Sequence, residues 1–430
     1  GAWGSKAFAG KIPGLAGNPG PGKRPAKDLD ANSMGKRWAR FVEKAPGLVM
    51  AVVVLGLGAL STPVLGLEMS LPSDSTSNHD TTQRKSADLM AEGFGPGVNA
   101  PLLLVVDAHT ANPDSEILQP YMGAIPDEAG GDAEKAALAS FLYTVGEIGS
   151  VNGIEHAQLI AANDDMTAAQ ILATPTGGPE KERTLEIAHG VRDAIGQVED
   201  ATGIQVGLTG LTAVQMDITE ELANAMPLYL SIVVGLAIVL LVIVFRSIMV
   251  PLVAGLGFLL SVGAAFGVTI LVFQEGLWGL VNTPAPILSF LPIFLIGVTF
   301  GLAMDYQVFL VTRMREGYVS RGKTAGNAVA NGYKHGARVV TAAALIMISV
   351  FAAFVLIDEP FIKAMGFALA AGVLIDAFVV RMTLIPATMY ILGDRAWKIP
   401  GWLDKALPNL DIEGEKLHHK ETPSAEPVTV

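Results

Sequence analysis

The chain has 430 residues, of which 51% are hydrophobic and only 16% charged, a balance too apolar for an ordinary soluble protein of this length. It has no cysteine, which excludes a disulfide framework, a thiolate metal site and a cysteine nucleophile. The net charge of −12 is uneven: residues 68–226 hold 6 basic and 25 acidic side chains and the remainder 23 and 16, so an acidic insert sits in a basic frame, which argues against nucleic acid as a partner.

Residues 1–46 are rich in Gly, Pro, Lys and Arg, carry no signal peptide, and read as a cytoplasmic basic linker. The chain opens on Gly1 rather than Met and is expected to be a fragment of a longer protein. Gly17, Gly22 and Lys23 have the spacing of a phosphate-binding loop. Arg24 stands where Ser or Thr would hold magnesium, prolines crowd the run and no strand precedes it, so no nucleotide is expected there.

An apolar helix needs roughly 20 residues to cross the hydrocarbon core. Six stretches qualify, at 47–67, 227–245, 248–273, 287–311, 339–357 and 361–392. The expected fold is an α-helical polytopic membrane bundle in which one helix precedes a large insert, 68–226, and five follow it, 227–392. Residues 393–430 form a tail. Basic residues flank the first span, among them Lys36, Arg37 and Arg40, and fill the loop after the fourth with Arg313, Arg315, Arg321, Lys323, Lys334 and Arg338. The positive-inside rule makes both segments cytoplasmic, which places the insert outside and both termini inside the cell membrane.

Within the insert, periodicity predicts a strand at 102–107, a helix at 133–148, strands at 152–158 and 167–174, a helix at 180–199 and a strand at 204–209. That β-α-β-β-α-β order is the split βαβ arrangement of an α+β domain. Residues 108–131 read as a long loop. Residues 212–224 read as a helix running into the second span, which would couple the outer domain to the bundle.

The spans contain two acidic residues, Asp305 and Asp376, and one deep basic residue, Arg381. A carboxylate at a helix centre costs on the order of 2.5–3.5 kcal/mol, so such residues are rare unless paired or used. A carboxyl in an apolar bundle takes up a proton more readily than in water, and Tyr306 places a hydroxyl next in sequence. Asp305 is therefore a candidate proton site, and Gly301, one turn earlier, would let a neighbouring helix approach closely. Asp376 and Arg381, five residues apart, fall on somewhat different faces of a regular helix. Long side chains bring a pair within reach, and Arg381 is near enough to the cytoplasmic end to snorkel to the interface. His79, His109, His156 and His189 show no metal-binding spacing, and His418 and His419 read as part of a solvated tail. No nucleophile elbow supports a hydrolase, and no cofactor is implied.

The run GLAMDYQVFLVTRMREGY at 301–318 resembles the signature helix of the MMPL transporters of the resistance-nodulation-division superfamily. EGFGPGVNAPLLLVVD at 92–107, LTGLTAVQMD at 208–217, IDAFVVRMTLIPA at 375–387 and GWLDKALPNLDIEGE at 401–415 agree with it. The resemblance implies a ferredoxin-like extracytoplasmic porter domain and proton-driven export of lipids or other hydrophobic molecules. It also implies a proton-relay role for Asp305 and Tyr306, with Gly301 and Phe309 lining the same central channel. Members have two similar halves, each with one Asp-Tyr pair. The tail here is similar to the end of the second half and GAWGSKAFAGKIPGL at 1–15 to the linker before it, so a matching N-terminal half or a second copy is an expected partner. The alternative is a non-transporting module, lipid-binding and sterol-sensing-like or accessory to translocation.

Overall fold

A computed structural model describes residues 34–127, 130–319 and 325–407. The glycine-rich run at 17–24 and the tail histidines His418 and His419 lie outside the described residues. The described residues start with α1 (Met34–Lys44) and, one residue later, α2 (Pro46–Ser61), with Pro46 in the first turn where its missing N–H costs nothing. A short strand β1 (Met69–Ser70) and α3 (Thr82–Phe94) lead to β2 (Leu102–Asp107). There follow α4 (Gln119–Met122), α5 (Asp132–Ser150), β3 (Ile154–Ala162), β4 (Ala168–Pro175), α6 (Glu182–Thr202) and β5 (Gln205–Thr209). Next come α7 (Leu211–Phe245), α8 (Met249–Phe273), β6 (Ile287–Leu288), α9 (Leu291–Val319) and α10 (Ala325–Phe354). The last long stretch joins α11 (Pro360–Leu374), a π-helical segment (Ile375–Leu384) and α12 (Ile385–Leu392), before the short α13 (Gly401–Ala406).

The insert folds as a four-stranded antiparallel sheet in the order β3-β4-β2-β5. Alternation along β2 turns Leu102, Leu104 and Val106 inward, where Phe141 and Ile148 of α5 and Val191 of α6 cover them. Each fully buried side chain of this kind contributes roughly 1.5–3 kcal/mol. The predicted insert elements recur within a few residues of their expected bounds. The 108–131 stretch differs from the expected loop in carrying one helical turn, α4.

Among the described residues, six helices are long and apolar enough to cross a membrane, and the chain is a multi-pass membrane protein. The second begins at Leu211, well before the expected start of the span at residue 227. At 1.5 Å per residue its 35 residues reach about 52 Å, against about 30 Å of hydrocarbon, so its first half projects from the bilayer. There Ala213 and Met216 join the insert core, Arg192 of α6 pairs with Asp217, and the Thr219 hydroxyl meets that of Ser289 at 2.8 Å. One rod thus belongs to both parts of the molecule. Pro227 inside it removes one backbone donor near the boundary between them.

The end of α2 is tied to the rest twice. β1 pairs in parallel with β6, and Gln274 after α8 donates to the Gly66 carbonyl at 2.7 Å while accepting from Glu68 N–H at 3.1 Å. α2 lies so close to α8 that a Cβ on Gly267 would fall 1.6 Å from the Leu60 carbonyl oxygen. Small residues at such a crossing let backbones approach where a bilayer offers no hydrophobic drive between helices. The centre of the bundle is α8 against α11 and the π-helical segment, through Phe258, Val262, Leu369, Val373 and Val380.

Candidate functional site

Deep in the bundle Arg381, Asp376 and Gln307 are almost completely buried, at 1%, 4% and 0% exposure. Arg381 Nε donates to Asp376 Oδ2 at 2.6 Å, and its Nη1 donates to Gln307 Oε1 at 2.6 Å. The guanidinium therefore ties α9 to the π-helical segment. In a regular α-helix, residues five apart point about 140° away from one another. Here the bonding has shifted to five-residue steps: Ile385 N–H donates to the Val380 carbonyl, and the Thr383 hydroxyl to the Phe378 carbonyl. That pattern stacks residues five apart, which is why Asp376 and Arg381 share a face. Two expectations are corrected. The pair does not lie on different faces, and Arg381 does not snorkel outward, because its carboxylate partner lies inward.

A buried ion pair offsets its desolvation only with good geometry and added hydrogen bonds, and Gln307 supplies one such bond. Sequence reasoning missed Gln307. Its signal was a polar residue two places after Asp305 in an otherwise apolar run, and the five-residue Asp-to-Arg spacing followed by Pro386 was the signal for the π-turn.

Asp305 occupies the other side of α9. Residues two apart on an α-helix diverge by about 200°, so the burial of Gln307 turns Asp305 outward. Asp305 is exposed and makes no ion pair among the described residues. Tyr306 is the next residue of α9, and its side chain lies outside the described residues. Phe294, Gly297, Gly301 and Phe309 share that side at three- and four-residue spacing, with Phe294 51% and Phe309 36% exposed, and the Tyr229 hydroxyl of α7 borders it at Gly297. A Cβ on Gly301 would meet nothing within 4 Å, so the close neighbour expected there is not a described helix of this chain. Gly301, Asp305 and Phe309 are brought onto one stripe, and the Asp376–Arg381 pair is kept apart on the opposite face.

Between the insert and α7, outside the predicted span, lies a cavity of about 320 Å³. Leu67, Met69 and Met216 give it apolar wall, Lys181 and Glu220 give it charge, and His189 adds an imidazole. Elsewhere in the insert, the backbone N–H and then the imidazole of His109 hold the Asp107 carboxyl below its ordinary range. Burial and the neighbouring Glu147 push the Tyr143 hydroxyl up.

The model of the MMPL family matches residues 76–408. Membrane protein YdfJ of Bacillus subtilis is 43% identical over 386 residues, which cover 88% of this chain and 49% of the relative. The mycolic acid-containing lipids exporter MmpL11 of Mycolicibacterium smegmatis is 32% identical over 386 residues, 88% of this chain and 38% of the relative. The trehalose monomycolate exporter MmpL3 of the same organism is 34% identical over 227 residues, 52% of this chain and 22% of the relative. The match with YdfJ thus covers 49% of that relative, and the other two cover less of theirs. With the run at 301–318 inside the matched stretch, the chain belongs to the MMPL family of the resistance-nodulation-division superfamily.

Proposed function

We propose that this chain is one half, the C-terminal one, of a proton-motive-force-driven exporter of lipids or other hydrophobic molecules. The observation that carries the reading is the open, polar-centred stripe on α9, where Asp305 sits at hydrocarbon depth between Gly301 and Phe309. An intramembrane carboxyl left facing outward from its own bundle is costly in lipid, so a partner surface belongs against it. In this reading that surface is the matching half or a second copy. Asp305 with Tyr306 takes up and releases the proton, and the buried Asp376–Arg381 pair fixes the helix that carries them.

The insert is read as the extracytoplasmic porter domain of split βαβ, ferredoxin-like type, a reading supported by its antiparallel strand order. Both termini are then cytoplasmic. α7 transmits the cycle, because it belongs to the insert core at Met216 and to the bundle core at Leu241. One charge moved through 100 mV supplies about 2.3 kcal/mol, enough to bias a two-state equilibrium roughly 50-fold. The cavity beside α7 has both apolar and charged lining, which suits an amphipathic cargo. Lipid as cargo also fits the two relatives named as exporters of mycolic acid-containing lipids and of trehalose monomycolate.

The test is gradient-driven movement of a fluorescent long-chain lipid in proteoliposomes, with the matching half co-reconstituted. Asp305→Asn is expected to abolish the gradient-dependent part. Unchanged movement with the gradient intact would remove Asp305 from the relay.

A further inference from the structure

The helix that precedes the first span has a use that the transport reading does not assign. α1 carries Lys36, Arg37, Arg40 and Lys44 against one acid, Glu43, and ends one residue before the membrane helix α2 begins. So short a connection holds α1 at the bilayer surface. Its Val42 is fully buried against the bundle, whereas Arg40 and Lys44 are exposed, as are Trp38 and Phe41, whose rings touch at 5.6 Å. A basic helix that carries aromatic residues and adjoins the start of a membrane span is suited to rest on anionic headgroups.

One contact links that surface to the bundle interior. The indole Nε1 of Trp38 donates to the backbone carbonyl of Met382 at 3.0 Å, across 344 residues of chain. Met382 directly follows Arg381 in the π-helical segment. Four residues after Met382 stands Pro386, which has no N–H to offer, and the segment before it bonds in five-residue steps, so the indole contact falls where the regular helical ladder is interrupted. Counting from Pro360, Met382 lies about 33 Å along its helix, which is the level at which α1 meets the bundle.

We infer that α1 is a binding site for the headgroups of anionic phospholipids in its own leaflet, and that its occupation stabilises, through Trp38 and Met382, the π-turn that positions Arg381. Arg40 and Lys44 take the phosphates, and Trp38 and Phe41 sit at the headgroup boundary. Lipid charge thereby sets how firmly the Arg381–Asp376–Gln307 network is held. Any consequence for transport rests on the reading of that network given above, but the binding and its effect on the turn do not.

The experiment is hydrogen exchange of the full chain in nanodiscs, followed by mass spectrometry of peptides spanning 375–392. Discs of phosphatidylcholine alone are compared with discs containing phosphatidylglycerol. The anionic discs are expected to slow exchange in this segment by about threefold or more, while β2 and β4 of the insert serve as an unchanged reference. The slowing is expected to vanish in Trp38→Phe, which keeps a ring but has no N–H, and in the Arg40→Gln, Lys44→Gln double variant. Equal exchange in both lipids, or full slowing in Trp38→Phe, overturns the proposal. Slowing of the same size on adding inorganic phosphate to neutral discs overturns the assignment to lipid. Because no transport is measured, a chain that fails the Asp305→Asn test can still pass this one.

Discussion

Arg381 Nε and Asp376 Oδ2 meet at 2.6 Å across a π-helical turn, and both residues are buried in the middle of the bundle. Removing one member of such a pair strands the other charge, at a cost of about 3–5 kcal/mol, whereas replacing both with apolar groups is often near neutral. Arg381→Met is therefore expected to lower the stability of the chain by that amount, and Asp376→Leu with Arg381→Met to recover most of it. Reversible unfolding in mixed micelles measures both. A double variant no more stable than the single one would show that the charges do more for the fold than balance each other. Gradient-driven export by the rescued double variant separates structure from mechanism, since a stable chain that no longer transports places the pair in the relay.

The stripe of Gly301, Asp305 and Phe309 should be the face against which another half or copy packs. The chain has no cysteine, so single-cysteine variants need no background removed. Gly301→Cys and Phe309→Cys, oxidised in native membranes, are expected to give a species of higher mass on a non-reducing gel, the second thiol coming from another copy of the chain or from a cysteine introduced on the facing helix of the matching half. Thr299→Cys, 4% exposed on the inward side of the same helix, should give none. If Gly301→Cys stays uncrosslinked both to a second copy and to a matching half that carries cysteines along its own facing helix, the packing face lies elsewhere, for which the exposed row Leu228, Ile232 and Leu236 on α7 is the next candidate.

Asp107 in the insert gives a pH dependence with a definite sign. Its carboxyl is held below the ordinary value of 3.8 by the His109 backbone N–H and, next, by the His109 ring. The folded value is depressed, so the carboxylate contributes stability above the unfolded value and loses it as pH falls through the folded one. The window lies below about pH 4, and solvent exposure keeps the effect small. His109→Ala removes the ring and keeps the N–H. Titration followed by carbon NMR of labelled aspartate should therefore show the Asp107 midpoint rising only part of the way to 3.8. A midpoint that does not move would assign the whole depression to the backbone.

The elements of the insert were legible because each is short, alternates at period two or 3.6, and is bounded by Gly, Pro or Asn. Strand 102–107 coincides with β2 to the residue. The spans were legible from length and apolarity alone. What was not legible depends on contacts across long sequence separations. A π-turn has the same apolar composition as the α-helix around it, so Asp376 and Arg381 read as poorly aligned until the widened turn stacked them. The outward turn of Asp305 follows from Gln307 meeting Arg381 across 74 residues, which no local pattern encodes. Gly301 reads as a packing glycine from its flanks, and only the assembled bundle reveals that no described helix of the chain fills the space beside it.

Glycines in this bundle should accordingly differ in their tolerance, in a way the fold decides rather than the residue. On α8, a Cβ at Gly267 would lie 1.6 Å from the Leu60 carbonyl oxygen, and the contact is backbone, which no rotamer change relieves. On α7, a Cβ at Gly235 would meet nothing within 4 Å. Forcing extra carbon into a close-packed interface costs typically about 1–3 kcal/mol, and more where backbones must part. Gly267→Val is expected to reach or exceed the top of that range and to loosen α2 from α8, whereas Gly235→Val should leave stability within about 0.5 kcal/mol of the parent. Unfolding midpoints in detergent test the contrast, with proteolysis near residues 62–68 reporting release of α2. Equal tolerance at the two positions would mean that α2 and α8 sit farther apart in the bilayer than the Leu60 contact requires. It would also weaken the case that the β1–β6 pairing and the Gln274 clamp hold a fixed helix end, because both depend on where α2 leaves the membrane.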